Sequence, residues 1–127
     1  MNRILLWSLP LAIAGSHSLG PTWSQVTGER WYRTVVDRYP AAIERIDDQG
    51  AFARFPTAID PGTHRLVLHP VDPGRFIGGT VRDFTLDAEP CKRYYINAQF
   101  KNSIQPEWMP VIDHVEDIVG CKIEGKK

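Results

Sequence analysis

Residues 92–100 read Lys92-Arg93-Tyr94-Tyr95-Ile96-Asn97-Ala98-Gln99-Phe100. Tyr94, Ile96, Ala98 and Phe100 occupy alternate positions, and Arg93, Tyr95, Asn97 and Gln99 fall between them. An extended chain sends successive side chains to opposite faces, so this stretch is a strand with one apolar and one largely polar face. Such asymmetry belongs to an antiparallel sheet with a core on one side and solvent on the other.

The same alternation recurs to either side. Thr63 to His69 places His64, Leu66 and Leu68 on one face, with Arg65, Val67 and His69 on the other. Val81 to Leu86 groups Arg82, Phe84 and Leu86. Further strands are predicted over Ala41–Asp47, Ala51–Phe55 and Trp108–Ile112. The last is an edge strand, because Pro110 cannot donate to a ladder. Val115 to Cys121 then returns the chain to the sheet.

Turn signals separate these pieces. Asp47-Asp48-Gln49-Gly50 is one. Ile59-Asp60-Pro61-Gly62 is another, where proline presets φ and glycine supplies the positive φ of a type II turn. Val71–Thr80 carries Pro73, Gly74, Gly78 and Gly79 and reads as a loop. A single helix is expected between Thr27-Gly28-Glu29-Arg30, an incomplete capping box, and Pro40. Its basis is Trp31, Val35 and Tyr39 at helical spacing, against the strand preference of the same aromatic and β-branched residues. The expected fold is all-β: a small antiparallel β-sandwich, Ig-like or transthyretin-like, of six to seven short strands plus that one short helix.

The N-terminus has the layout of a secretory signal peptide: Met1-Asn2-Arg3, an apolar run from Ile4 to Ala14, then small and polar residues. The run covers 11 residues, short of the roughly 18 a membrane-spanning helix needs. Thr22 and Ser24 are small at the two recognised positions, so cleavage is expected after Ser24, giving a signal peptide over 1–24 and one domain over 25–127. The alternative is an uncleaved N-terminal anchor that tethers an envelope protein.

Fifteen Lys and Arg balance fifteen Asp and Glu in the whole chain. The leader removes Arg3 and no acidic residue, which leaves a net charge near −1. Nucleic-acid binding needs a surplus of Lys and Arg, and a membrane surface needs a basic stripe, so neither partner is expected. The only two cysteines, Cys91 and Cys121, lie behind the leader. An even count in an exported chain reads as a disulfide. Neither cysteine has a second Cys or a His at metal-ligand or redox-motif spacing. Localisation is expected to be periplasmic or secreted.

Pro61-Gly62-Thr63-His64-Arg65-Leu66-Val67-Leu68 resembles the proline-glycine-plus-strand signature of PEGA-type and transthyretin-like sandwich modules. Those are small β-domains of the bacterial surface or periplasm. Cys91-Lys92-Arg93-Tyr94-Tyr95-Ile96-Asn97-Ala98, with Trp108, Pro110, Glu116 and Gly120-Cys121, is similar to short exported proteobacterial proteins of unknown function. The resemblance spans roughly residues 41–121 and implies an envelope β-module with no transferable activity.

No residue pattern compels catalysis. G-x-S-x-G is absent, Ser103 sits in a polar loop, and Gly78-Gly79 leads into no helix that would cradle a phosphate. The one candidate for a metal-binding or hydrolytic site is Asp113-His114-x-Glu116-Asp117, joined by His64 or His69 through the fold. A solvated acidic edge is the simpler reading of it. Tyr94 and Trp108 are expected in the core. Arg75, Phe76 and Ile77, at the tip of a Pro/Gly-rich loop, are the candidate partner-binding residues. The expectation is an exported non-catalytic binding or accessory module of the cell envelope. It needs no cofactor or metal, and its partner is a protein or envelope component.

Overall fold

The computed structural model describes residues 22–31, 34–53, 56–71 and 81–123. Most of the expected leader and the Arg75-Phe76-Ile77 loop tip lie outside the described residues.

The described residues are all-β, with nine strands in two sheets. These are β1 (Ser24–Thr27), β2 (Arg38–Tyr39), β3 (Ala41–Ile46), β4 (Gln49–Ala53), β5 (Thr57–Ile59), β6 (Gly62–Pro70), β7 (Arg82–Ala88), β8 (Lys92–Phe100) and β9 (Trp108–Asp117). One sheet runs β4-β3-β6-β7 and is antiparallel throughout. The other is organised around β8. On one side β8 pairs with β9 along its whole length, antiparallel from Lys92↔Asp117 to Phe100↔Trp108. On its other side two short strands share it. β1 runs parallel to its first half, and β2 runs antiparallel to its second half. β5 extends this sheet beyond β1.

The alternations read from the sequence decide which faces meet. Tyr94, Ile96, Ala98, Phe100 and Trp108 pack from one sheet against Ile43, Leu66, Leu68, Leu86 and Ala88 from the other, with Val26 and Ile59 completing the layer. Three short strands, β1, β2 and β5, go beyond the expected six to seven. They are four, two and three residues long, too short for alternation to announce them.

The expected helix before Pro40 does not form: no helix occurs among the described residues. Two physical causes oppose it. Asp37 adopts a left-handed φ of 60°, which breaks a right-handed helix where its last turn would lie. Trp31 and Arg38 are each drawn to β9, as set out below. Arg38 and Tyr39 pair with β8 instead, in keeping with the aromatic and β-branched content of the segment.

The β3–β4 hairpin closes on Asp47 and Asp48, with φ of 52° and 68°. Two consecutive left-handed residues are the type I′ arrangement that matches strand twist, and aspartate tolerates it better than most side chains. Gly28 has a different reason to be glycine. Its carbonyl accepts the Ala41 amide at 2.9 Å, and a Cβ there would lie 1.7 Å from the Ala41 carbonyl oxygen. Gly28→Ala is therefore expected to destabilise the domain by about 2–3 kcal/mol, the upper end for an overpacked methyl. Urea melts would check this, and an unchanged midpoint would show that the β1–β3 contact yields.

Candidate functional site

The second face of β8 was expected to be solvated, and it is not. Asn97 is fully buried, and Tyr95 nearly so. The segment after β1 crosses this face. Asn97 Nδ2 donates to the Gly28 and Glu29 carbonyls, both at 3.0 Å. The Trp31 ring stacks on His114 at 3.9 Å between centroids and 12° between planes, and meets Tyr95 edge-on at 5.1 Å. The polar residues of this face therefore build a covered network, with Trp31 as its lid.

Three of the sequence candidates meet here. The β8–β9 register shifts between Tyr95↔His114 and Ile96↔Ile112, so Asp113 is the extra residue of a β-bulge. In a regular strand Asp113 would face away from His114 and Glu116. The Asp113 carboxylate, with its side chain 1 % exposed, accepts from Arg38 Nη1 at 2.7 Å and from the Trp31 amide at 3.3 Å. Arg38 Nε also donates to Gln99 Oε1 at 2.8 Å. Glu116 accepts from the Tyr95 hydroxyl at 2.6 Å and pairs with Arg93, which also donates to Gln25 Oε1. The Tyr95 hydroxyl, ahead of the Arg93 guanidinium, holds the Glu116 carboxyl below the usual range. Burial, then the hydrogen bond to Glu116, pushes the Tyr95 phenol up.

The chemistry of this arrangement is limited. A carboxylate held below its usual range is a poor general base, and a phenol held above its own stays protonated. Among the described residues, no group of three or more His, Cys, Asp or Glu is placed to hold a metal ion. The two histidines suggested as further ligands are engaged elsewhere. His69 pairs with Glu44. His64 bridges two turns, with Nδ1 on Asp47 Oδ2 at 2.5 Å and Nε2 on the Asp60 carbonyl at 2.6 Å.

Only the imidazolium can donate from both nitrogens to those two acceptors. Burial opposes the charge on His64, but the Asp60 carbonyl and the Asp47 carboxylate outweigh it and raise the pKa above 6.5. The sign follows from linkage. The stability this clamp contributes is complete below the unfolded histidine value and is lost as pH rises through the higher folded one. Melting temperatures across pH 5.5–9 should show wild type losing its advantage over His64→Gln toward the alkaline end. Parallel curves would refute the clamp.

Cys91 and Cys121 form a disulfide with a Cα–Cα distance of 5.4 Å. It lies at the opposite end of β8 from β2 and joins the start of that strand to the segment after β9. Trp23 lies against it: Cys91 N donates to the Trp23 carbonyl at 2.8 Å, and Trp23 N donates to Cys121 Sγ at 3.5 Å.

The surface of the described residues includes these two clefts. One, of about 550 Å³, lies between Gly28–Arg30 and Pro40–Ala42, with Val71 at its rim. The other, of about 290 Å³, is largely apolar and lies at the β8–β9 connection, against Phe100, Trp108 and Met109. Tyr94 and Trp108 are core residues, as expected. Trp31, Arg38, Gln25 and Gln99 were not legible as site residues, since each reaches its partner from more than 60 positions away. The one signal was the row of polar side chains on β8.

Comparison with family models, with curated proteins and with solved structures finds no match for this chain. Among the described residues, no helix is long and apolar enough to cross a membrane.

Proposed function

We propose that this chain is an exported, non-catalytic binding or accessory domain of the cell envelope, periplasmic or secreted. The observation that carries the reading is the fate of the Asp113–Glu116 segment. Its carboxylates, the best candidates for catalysis or metal binding, are occupied by Arg38, Arg93, Tyr95 and the Trp31 amide. Asp113 and His114 hold the covering segment through Trp31, and Glu116 is tied to Tyr95 and Arg93 of β8. The disulfide supports an oxidising compartment. The likeness of Pro61–Leu68 to PEGA-type modules is part of the same proposal, as is the loop tip Arg75-Phe76-Ile77 between β6 and β7 as the partner contact.

The test is expression with the native N-terminus, followed by fractionation and thiol counting. Recovery outside the cytosol with both cysteines oxidised supports the reading. Free thiols on a cytosolic product would overturn it, and so would a metal-dependent hydrolysis lost in His114→Ala. Capture from envelope extracts by wild type but not by Phe76→Ser would locate the contact, and an unchanged set of captured proteins would remove the loop from the proposal.

A further inference from the structure

We infer that Thr22, Trp23 and Ser24 belong to the folded mature domain, so that the export peptidase cuts upstream of Thr22, at the Ser16–His17 or the Ser18–Leu19 bond. This rests on the export reading above, and it moves the cut from the bond after Ser24.

Each of the three residues is built into the domain. Ser24 opens β1, pairs with Ile59 and is fully buried; its Oγ donates to the Glu89 carbonyl at 2.6 Å. Trp23 supplies the carbonyl that accepts the Cys91 amide. Cys91 has a left-handed φ of 62°, a conformation a non-glycine residue keeps only when its surroundings hold it there. Thr22 Oγ1 donates to the Lys122 carbonyl, on the chain just past the disulfide. Residues 22–24 thus close three contacts, to 89, 91 and 122, at the end of the molecule where the disulfide lies.

A cut after Ser24 would undo all of them. It would also create an α-ammonium on Gln25, between Ala58 of β5 and Arg93 of β8, where the fully buried Ser24 now joins the strand. Such a group is largely charged at neutral pH, and an unpaired charge is costly to hold out of water. The Cys91 amide would lose its acceptor, which is costly for a buried donor.

Upstream, the recognised pattern is a pair of small residues at the first and third positions before the cut, with leaders of roughly 15–30 residues. Ala12 and Ala14 fit the pattern but make the leader too short. Ser18 and Gly20 place the scissile bond before Pro21, a tertiary amide. Ala14 with Ser16, and Ser16 with Ser18, fit both the pattern and the length, and both leave Thr22 to Ser24 intact.

The full chain, expressed in a bacterium and recovered from the periplasm or medium, should be read by N-terminal sequencing and intact mass. A start at His17 or Leu19 is expected, and any start from Gly15 to Thr22 supports the inference. A start at Trp23 or later overturns it while leaving export intact. An uncut chain in any fraction also overturns it, and finding that chain in the cytosol with free thiols removes the export reading too. As a second measurement, oxidised 19–127 and 25–127 should differ in melting temperature by on the order of 10 °C, with the shorter chain lower. Equal melting would show that residues 22–24 are dispensable and would overturn the inference.

Discussion

Replacing both Cys91 and Cys121 with serine should lower the unfolding free energy by about 3–4 kcal/mol and the melting temperature by roughly 15–25 °C. The bridge spans a sequence separation of 30. Chain entropy alone gives a closed loop of that length nearly the whole effect, by restricting the unfolded ensemble. The folded state adds to it. Cys91 is buried, its amide is fixed by Trp23, and its carbonyl accepts the Ile118 amide at 3.0 Å. The bridge therefore ties together three segments, β1's approach, the start of β8 and the exit of β9. A domain of this size has only about 5–10 kcal/mol to lose, so the variant should be partly unfolded near 40 °C. Scanning calorimetry of the oxidised protein and the double serine variant reads the difference directly. A shift under about 5 °C would mean that the staple adds little to what the sheets supply.

Arg38→Met should cost about 3–5 kcal/mol. Arg38 reaches over the sheet to an Asp113 carboxylate that is almost wholly removed from solvent. Methionine keeps the aliphatic stem but leaves that carboxylate with the Trp31 amide as its remaining donor in the network, and an uncompensated buried charge is strongly unfavourable. The discriminating variant is Arg38→Met with Asp113→Leu. Removing both charges leaves packed apolar groups, so at least half of the lost stability should return. A double variant no better than Arg38→Met would show that Arg38 acts through Gln99 and the β2 pairing. Urea midpoints for the four proteins of this cycle decide between the two.

The sequence was most legible where one residue type repeats at one spacing. Tyr94 to Phe100, Leu66 with Leu68, and Phe84 with Leu86 stated their own faces, and the two sheets follow from them. Pro61-Gly62 and Asp47-Asp48 stated the turns between. The helix before Pro40 failed because Trp31, Val35 and Tyr39 carried a helical spacing without a helical role. Trp31 is held by His114, a residue 83 positions along the chain, and no local pattern encodes that. The Asp113 segment was half legible. Its carboxylates and histidine were visible as a cluster, but a bulge decides which way Asp113 points, and one extra residue in a strand leaves no mark on the hydrophobic alternation. The cations that occupy Asp113 and Glu116 come from β2 and β8, so their role depended on a strand order that alternation does not reveal.

β1 occupies an interior place in its sheet although it comes first in sequence among the strands of the described residues. A polypeptide leaves a ribosome or a translocation channel N-terminus first. Ser24 to Thr27 therefore emerge long before Thr57–Ile59 and longer still before Arg93–Tyr95, the two edges they join. Until then four residues rich in unpaired backbone groups have no place to dock. The rest of the five-stranded sheet can close around them only after β8 has arrived, and the covalent lock waits for Cys121 near the other end. Assembly of this domain is in that sense a single late event: synthesis delivers its parts in one order, and the fold can use them only once nearly all are present.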